Sequence, residues 1–217
     1  MNLHAESLPP GQQEVLRQLG RPATDCGFYL GGGTAIAAHL GHRQSRDLDW
    51  FTGERIEDPL ALARELQERG AELRVEGIGR AALHGDVRGV RTSFLEYPHP
   101  MLAPSVAWPA VGCQIAALDD LAAMKLLAVD QRGAKRDFVD IHALALAAHA
   151  RPLAEMIELF RRKFAVEDVA RVLYSLTYFA DAEDDPMPRM LNNLAWEEVK
   201  ADIRAWVKAI AAGATEQ

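Results

Sequence analysis

A change of hydrophobic period inside residues 28–52 constrains this chain more than any other feature. Residues 27–31 (GFYLG) have the aromatic and aliphatic composition of a buried strand, and they run into Gly31, Gly32 and Gly33. Residues 34–40 then carry the alanine-rich pattern of a short buried helix that Gly41 ends. Residues 47–52 (DLDWFT) alternate strictly, which puts Asp47 and Asp49 on one face of a second strand and Leu48 and Trp50 on the other. The order strand, glycine turn, helix, strand belongs to an α/β or α+β core.

The rest of the chain extends this pattern. Residues 12–19 read as a short helix, and residues 59–70 as an amphipathic helix with Pro59 in its first turn. Residues 72–78, 81–84 and 90–97 read as strands, the last two joined by the turn region 85–89. Pro98, Pro100, Pro104 and Pro109 punctuate a crossing that ends in a short apolar strand around 113–116. Asp119 is a good N-cap for a helix to about residue 131, and residues 136–148 form the next helix. Helices near 152–163, 166–180 and 196–211 complete the tail, broken by the acidic loop AEDDPMP. The expected fold class is α+β (α/β), a mixed sheet flanked by helices with a C-terminal helical region. Residues 1–116 form the core and 117–217 the helical region, expected to fold together as one compact unit.

Composition limits the function classes. A chain of 217 residues with 49% hydrophobic and 25% charged side chains can bury one sizeable core with a helical extension. No apolar run approaches the roughly 18 residues of a membrane span, and the N-terminus has no basic segment followed by an apolar one, so the expected location is the cytoplasm, away from membranes. Cys26 and Cys113 fit no zinc or redox spacing and read as reduced core thiols. A formal charge of -7 argues against a general nucleic-acid binder, whose affinity depends on neutralised phosphates. Local basic patches remain as docking candidates: Arg43 with Arg46, Arg132 with Lys135 and Arg136, and Arg161, Arg162 and Lys163; their competing reading is solvated helix faces.

Chemistry concentrates in two blocks. Glycines ahead of a helix let backbone N–H groups approach a phosphate, and the positive end of the helix dipole favours its charge; Thr34 adds a hydroxyl. Carboxylates two apart on a strand lie roughly 6 to 7 Å apart at the backbone, near enough to share divalent cations. A tight turn and an exposed strand face are the competing readings. In the second block, Lys125 lies in the apolar run AAMKLLAV, so its ammonium must leave the core or meet an anion, either a triphosphate or Asp140. Arg136, Asp137 and Asp140 can crowd one side of their helix, and the competing reading is a snorkelling lysine beside a surface salt bridge. His42 and Arg43 read as donors near the phosphate or acceptor, or as structural groups; Gly41 separates His42 from His39.

These blocks resemble a known family. The stretch LGGGTAIAAHLGHRQSRDLDWFT looks like the opening motif of the AbiEii-type nucleotidyltransferases of type IV toxin–antitoxin systems, and LDDLAAMKLLAVDQRGAKRDFVDIHAL looks like their second block. The resemblance implies a nucleotidyltransferase-like fold and in-line transfer of a nucleotide from an NTP to an acceptor, tRNA or protein rather than a small molecule, with a separate antitoxin as partner. It assigns Mg2+, with Mn2+ as a substitute, to Asp47 and Asp49, and the nucleotide to Gly32, Gly33 and Thr34, with Arg136 inside the second motif; Arg43, read as a donor near the phosphate, is counted with the nucleotide-binding residues. Lys125 and Asp140 complete the catalytic set. Glu96 is the one well-placed acid for a third metal carboxylate, against its reading as a solvent-facing strand glutamate. The alternative function is an inactive NTP-binding or protein-interaction module on the same fold.

Overall fold

The computed structural model describes residues 3–147 and 151–214, and the chain divides into two compact units, Met1–Ala117 and Leu118–Gln217. The first carries α1 (Pro10–Asp25), β1 (Tyr29–Leu30), α2 (Gly32–Leu40), β2 (Leu48–Thr52), α3 (Pro59–Glu68), β3 (Arg74–Gly79), β4 (Ala82–Val87), β5 (Val90–Glu96), β6 (Val106–Trp108) and β7 (Cys113–Ile115). Its sheet is seven-stranded and mixed, in the order β3-β4-β5-β2-β1-β7-β6. β3, β4 and β5 form an antiparallel meander, β2 runs parallel to β5 and antiparallel to β1, and β1 runs parallel to β7.

The alternation of β2 decides what each face of the sheet does. Leu48, Trp50 and Thr52 are buried while Asp49 and Phe51 are half-buried. On the buried face Trp50 lies nearly parallel to Phe94, centroids 6.3 Å apart, and Phe28 meets Phe94 edge-on at 5.2 Å. Each such ring contributes about 1.5–3 kcal/mol by leaving water.

Two departures from the sequence reading have physical causes. α1 spans Pro10–Asp25 where a short helix over 12–19 was expected, and it runs on through Gly20 and Pro22. Gly20 is there for close approach: a Cβ would collide with the Val111 carbonyl. β6 lies inside the proline-rich crossing, bounded by Pro104 and Pro109 at the sheet edge, where a missing N–H costs least. Burial pushes the Cys26 thiol up to about 11, helped by the nearby Glu65, and burial pushes Cys113 up to about 12; both cysteines are free.

The second unit is helical: α4 (Leu118–Gln131), α5 (Lys135–Leu146), α6 (Leu153–Phe164), α7 (Ala170–Ser175), α8 (Ala180–Glu183) and α9 (Trp196–Ala214). The expected end of a helix at residue 148 lies outside the described residues. The expected helix 166–180 is instead two short ones, α7 and α8. Ser175 and Thr177 hydroxyls donate to the carbonyls of Arg171 and Tyr174, competing with the continuing helix. Phe138 anchors the core against Phe179 and Trp196, with centroids 4.9 and 5.9 Å away. Among the described residues, no helix is long and apolar enough to cross a membrane.

Lys163, expected on a basic surface patch, is fully buried and donates to Asp120 at 2.6 Å, with both side chains 0% exposed. The helix pattern hid this because Lys163 lies on the same stripe as Met156 and Phe160. Removing one partner leaves the other buried without this ion pair. Asp120→Ala is expected to lower unfolding free energy by about 3–5 kcal/mol in urea titrations, whereas Asp120→Leu with Lys163→Met stays close to wild type. A loss below about 1 kcal/mol for Asp120→Ala contradicts the assignment.

Candidate active site

The glycine turn and the aspartate strand are packed against each other. Gly32 has φ +63°, and a Cβ there would stand 2.7 Å from the Asp49 Oδ2 atom. A Cβ on Gly33 would stand 2.5 Å from the Arg43 guanidinium. The first turn of α2 therefore has a carboxylate on one side and a cation on the other, and only glycine leaves room for both. The first N–H groups of α2, at Gly32, Gly33 and Thr34, have no intrahelical acceptor, and no side chain caps them. At the far end Gly41 is left-handed, at φ +63°, and closes the helix between His39 and His42.

The start of β2 is pinned from two helices. The Thr34 hydroxyl, buried in α2, donates to the Asp47 carbonyl through a short bond and lies 2.8 Å from the Ser45 hydroxyl. Gln12, buried in α1, reaches both Thr34 Oγ1 and the Asp47 carbonyl at 3.4 Å. The Thr34 side chain thus holds the backbone ahead of the carboxylate pair, where the sequence reading had it as a phosphate donor; its backbone N–H keeps that geometry. Neither Gln12 nor Ser45 was singled out in the sequence, because no motif marks a side chain that acts through a backbone carbonyl.

Asp49 lies on the half-buried face of β2, and Asp47 directly precedes the strand. Asp47 pairs with Arg91 at 3.1 Å. Glu96 does not join them: it is in register with Thr52 on the opposite face, and its carboxylate accepts the Ile56 N–H at 3.2 Å. Parity along β5 carries the reason, since Glu96 alternates with Thr92 and Phe94, which are buried. The β5 residue directly opposite Asp49 is Ser93, and the β4 residue opposite Ser93 is His84.

The basic candidates disperse. Arg43 is buried beside Gly33 and donates to the Gln44 carbonyl at 3.0 Å. Lys135 is buried, donating to the Glu183 and Asp185 carbonyls. Arg161 pairs with Glu158 and Glu167. Arg136 is exposed on α5, whereas Asp137 and Asp140 are buried.

In the helical unit, Lys125 is held between two carboxylates, with its ammonium 3.0 Å from both Asp137 and Asp140 and its side chain only 6% exposed. Arg132, spaced five from Asp137, puts Nε and Nη2 on its two oxygens at 2.8 and 2.9 Å. The sequence paired Lys125 with Asp140 but assigned the neighbouring cation to Arg136; Arg132 takes that place from the end of α4. Burial alone raises the Asp137 carboxyl, but the Arg132 hydrogen bonds and the Lys125 charge outweigh it, and its pKa ends below the ordinary carboxylate value. A depressed pKa gives stability that is complete above the unfolded carboxylate range and lost as pH falls through the folded value. Acid unfolding of wild type is thus expected to show a stability loss below about pH 4 that Asp137→Asn lacks, Asp137→Asn being less stable at neutral pH. Parallel pH dependences for the two proteins contradict this.

Comparison with known proteins agrees with the geometry. Residues 14–216 match the family described as the nucleotidyl transferase AbiEii toxin of type IV toxin–antitoxin systems. An uncharacterized protein of Aquifex aeolicus (strain VF5) is 32% identical over 198 residues, covering 91% of this chain and 94% of its own. Two solved structures are similar: a putative nucleotidyltransferase from H. pylori, with TM-score 0.56 and 14% identity over 95% of this chain and 96% of that one, and MenT4, a nucleotidyltransferase toxin from Mycobacterium tuberculosis H37Rv, with TM-score 0.57 and 16% identity over 91% of this chain and 82% of that one. At such identities the two structures establish the nucleotidyltransferase fold. Since the family match extends over nearly all of the sequence, this chain belongs to the AbiEii nucleotidyltransferase toxin family of type IV toxin–antitoxin systems.

Proposed function

We propose that this chain is a Mg2+-dependent nucleotidyltransferase that moves a nucleotide from an NTP onto a macromolecular acceptor, tRNA or protein, in the cytoplasm and opposite a cognate antitoxin. The observation that carries this reading is the contact of the Asp49 carboxylate with the glycine turn that opens α2. An anion-binding helix start and a metal-binding acid on neighbouring atoms are what a metal–triphosphate complex needs.

Asp47 and Asp49 are the carboxylates this reading gives to the ion; among the described residues no group of three or more His, Cys, Asp or Glu could hold a metal without phosphate and water completing its shell. Mg2+ accepts such a site, since it commonly binds one or two carboxylates and fills its remaining positions with phosphate oxygens and water; Mn2+ would substitute. When bound, the ion supplies charge neutralisation and Lewis acidity at the triphosphate.

This chain's own residues do the rest. The backbone N–H groups of Gly32, Gly33 and Thr34 cradle the β and γ phosphates, with Arg43 beside Gly33 adding fixed positive charge. Exposed Arg136 is a further anion contact. In the helical unit, Asp137 and Asp140 hold the Lys125 ammonium in place, and Asp140 orients it. An acceptor oxygen attacks the α-phosphorus in line, and pyrophosphate leaves.

Ser93 favours the alternative of an inactive NTP-binding or interaction module, because it stands opposite Asp49 where a third carboxylate would complete a metal site. Thermal stabilisation by NTP and Mg2+ without labelled product supports that alternative.

Two substitutions test the main reading. Asp49→Asn is expected to abolish transfer from α-labelled NTP without lowering the melting temperature; full activity contradicts the metal assignment. Gly32→Ala forces a Cβ onto Asp49 and strains a left-handed residue, with an expected activity loss of at least about tenfold, or ~1.4 kcal/mol of transition-state stabilisation. Unchanged turnover in Gly32→Ala contradicts the role of the turn.

A further inference from the structure

The proposed transfer lacks a group to take the acceptor's proton. Asp140 cannot serve, since its side chain is 0% exposed and its carboxylate lies on Lys125. Asp47 and Asp49 are assigned to the metal. The sheet supplies another candidate. Asp49, Ser93 and His84 stand in register across β2, β5 and β4. Residues paired across a sheet share a face, so the three side chains form one row, with His84 about 10 Å from Asp49 at the backbone, two strand spacings away. His84 is exposed, and its Nδ1 lies 3.1 Å from the Ser93 hydroxyl. Its partner on β3 is Gly77, which offers no side chain to cover the ring, and a Cβ built there would still stand 4.0 Å from His84 Cβ.

The neighbouring row, Arg74, Asp86 and Arg91, is charged and internally matched: Arg74 lies 2.7 Å from Glu76 and 3.7 Å from Asp86, and Arg91 lies on Asp47. These are the charged groups that face His84 from β3, β4 and β5. None of the ion pairs just named involves His84, whose side chain hydrogen-bonds Ser93.

Resting on the transferase reading, we propose that His84, oriented by Ser93, is the general base of this enzyme. The Ser93 contact at Nδ1 leaves Nε2 on the outer edge of the ring, where a base must meet an acceptor. An acceptor hydroxyl gives its proton to Nε2 as its oxygen bonds the α-phosphorus. The bond from that phosphorus to the bridging oxygen of the β-phosphate breaks, and pyrophosphate departs with the electron pair. The imidazolium then returns its proton to water. The serine opposite Asp49 is thus a support for a histidine one strand further out.

The test follows label from α-32P NTP into total tRNA and into a cell protein extract, at saturating NTP, for wild type, Asp49→Asn, His84→Ala, His84→Gln and Ser93→Ala. Wild type transfers label and Asp49→Asn does not. His84→Ala and His84→Gln each lose about 10²-fold or more in kcat, with the NTP KM within about twofold and the melting temperature unchanged. Ser93→Ala loses less. Added imidazole restores part of the rate to His84→Ala and none to Asp49→Asn. Wild-type kcat in His84→Ala overturns the proposal, as does a loss that appears only in KM or melting temperature, or one that imidazole leaves untouched. A wild type that labels nothing, or an active Asp49→Asn, overturns the transferase reading and this inference with it.

Discussion

Most of what the first unit does depends on one steric constraint: the start of α2 lies so close to β2 that no side chain fits between them. Gly32 is left-handed with Asp49 against it, and Gly33 has Arg43 against it. A helix start, a carboxylate and a guanidinium within a few ångströms form a site whose charges are set before any ligand arrives. Preorganisation of this kind is what lets a protein stabilise developing charge without rearranging at the moment of reaction. The cost is close packing, and the Thr34, Gln12 and Ser45 network anchors the backbone at Asp47.

The helical unit solves a different problem, that of keeping cations inside an apolar bundle. Lys125 and Lys163 are both buried on carboxylates, and Arg132 closes the Asp137 side of the first cluster from its edge. Such pairs give little net stability over apolar packing, but removing one member is costly. Their usefulness lies in fixing geometry. A lysine held between two carboxylates stays in place.

Much of this was legible in the sequence. Alternation marked the strand that became β2, with Asp49 on its less buried face, and the glycines ahead of an alanine-rich run marked the turn and α2. The same parity argument along β5 separates Glu96 from the pair and brings Ser93 opposite Asp49. What local pattern could not supply was long-range pairing. Nothing near Asp120 marks Lys163 as its partner, nothing near Asp47 marks Gln12, and Ser93 and His84 become neighbours only through the antiparallel register of β4 and β5. The continuation of α1 through Gly20 has a tertiary reason that local pattern does not carry: the Val111 carbonyl fills the space where a side chain would be.

The central claim is that the carboxylate pair and the glycine turn bind one metal–nucleotide complex. Paramagnetic broadening tests it most directly, with Mn2+ added to 15N-labelled protein in the presence of a non-hydrolysable NTP. The account predicts that the amides of Gly32, Gly33, Thr34, Asp47 and Asp49 broaden first and together, and that Asp49→Asn removes the effect. Broadening centred elsewhere, or an aspartate strand that responds while the glycine turn does not, would contradict it.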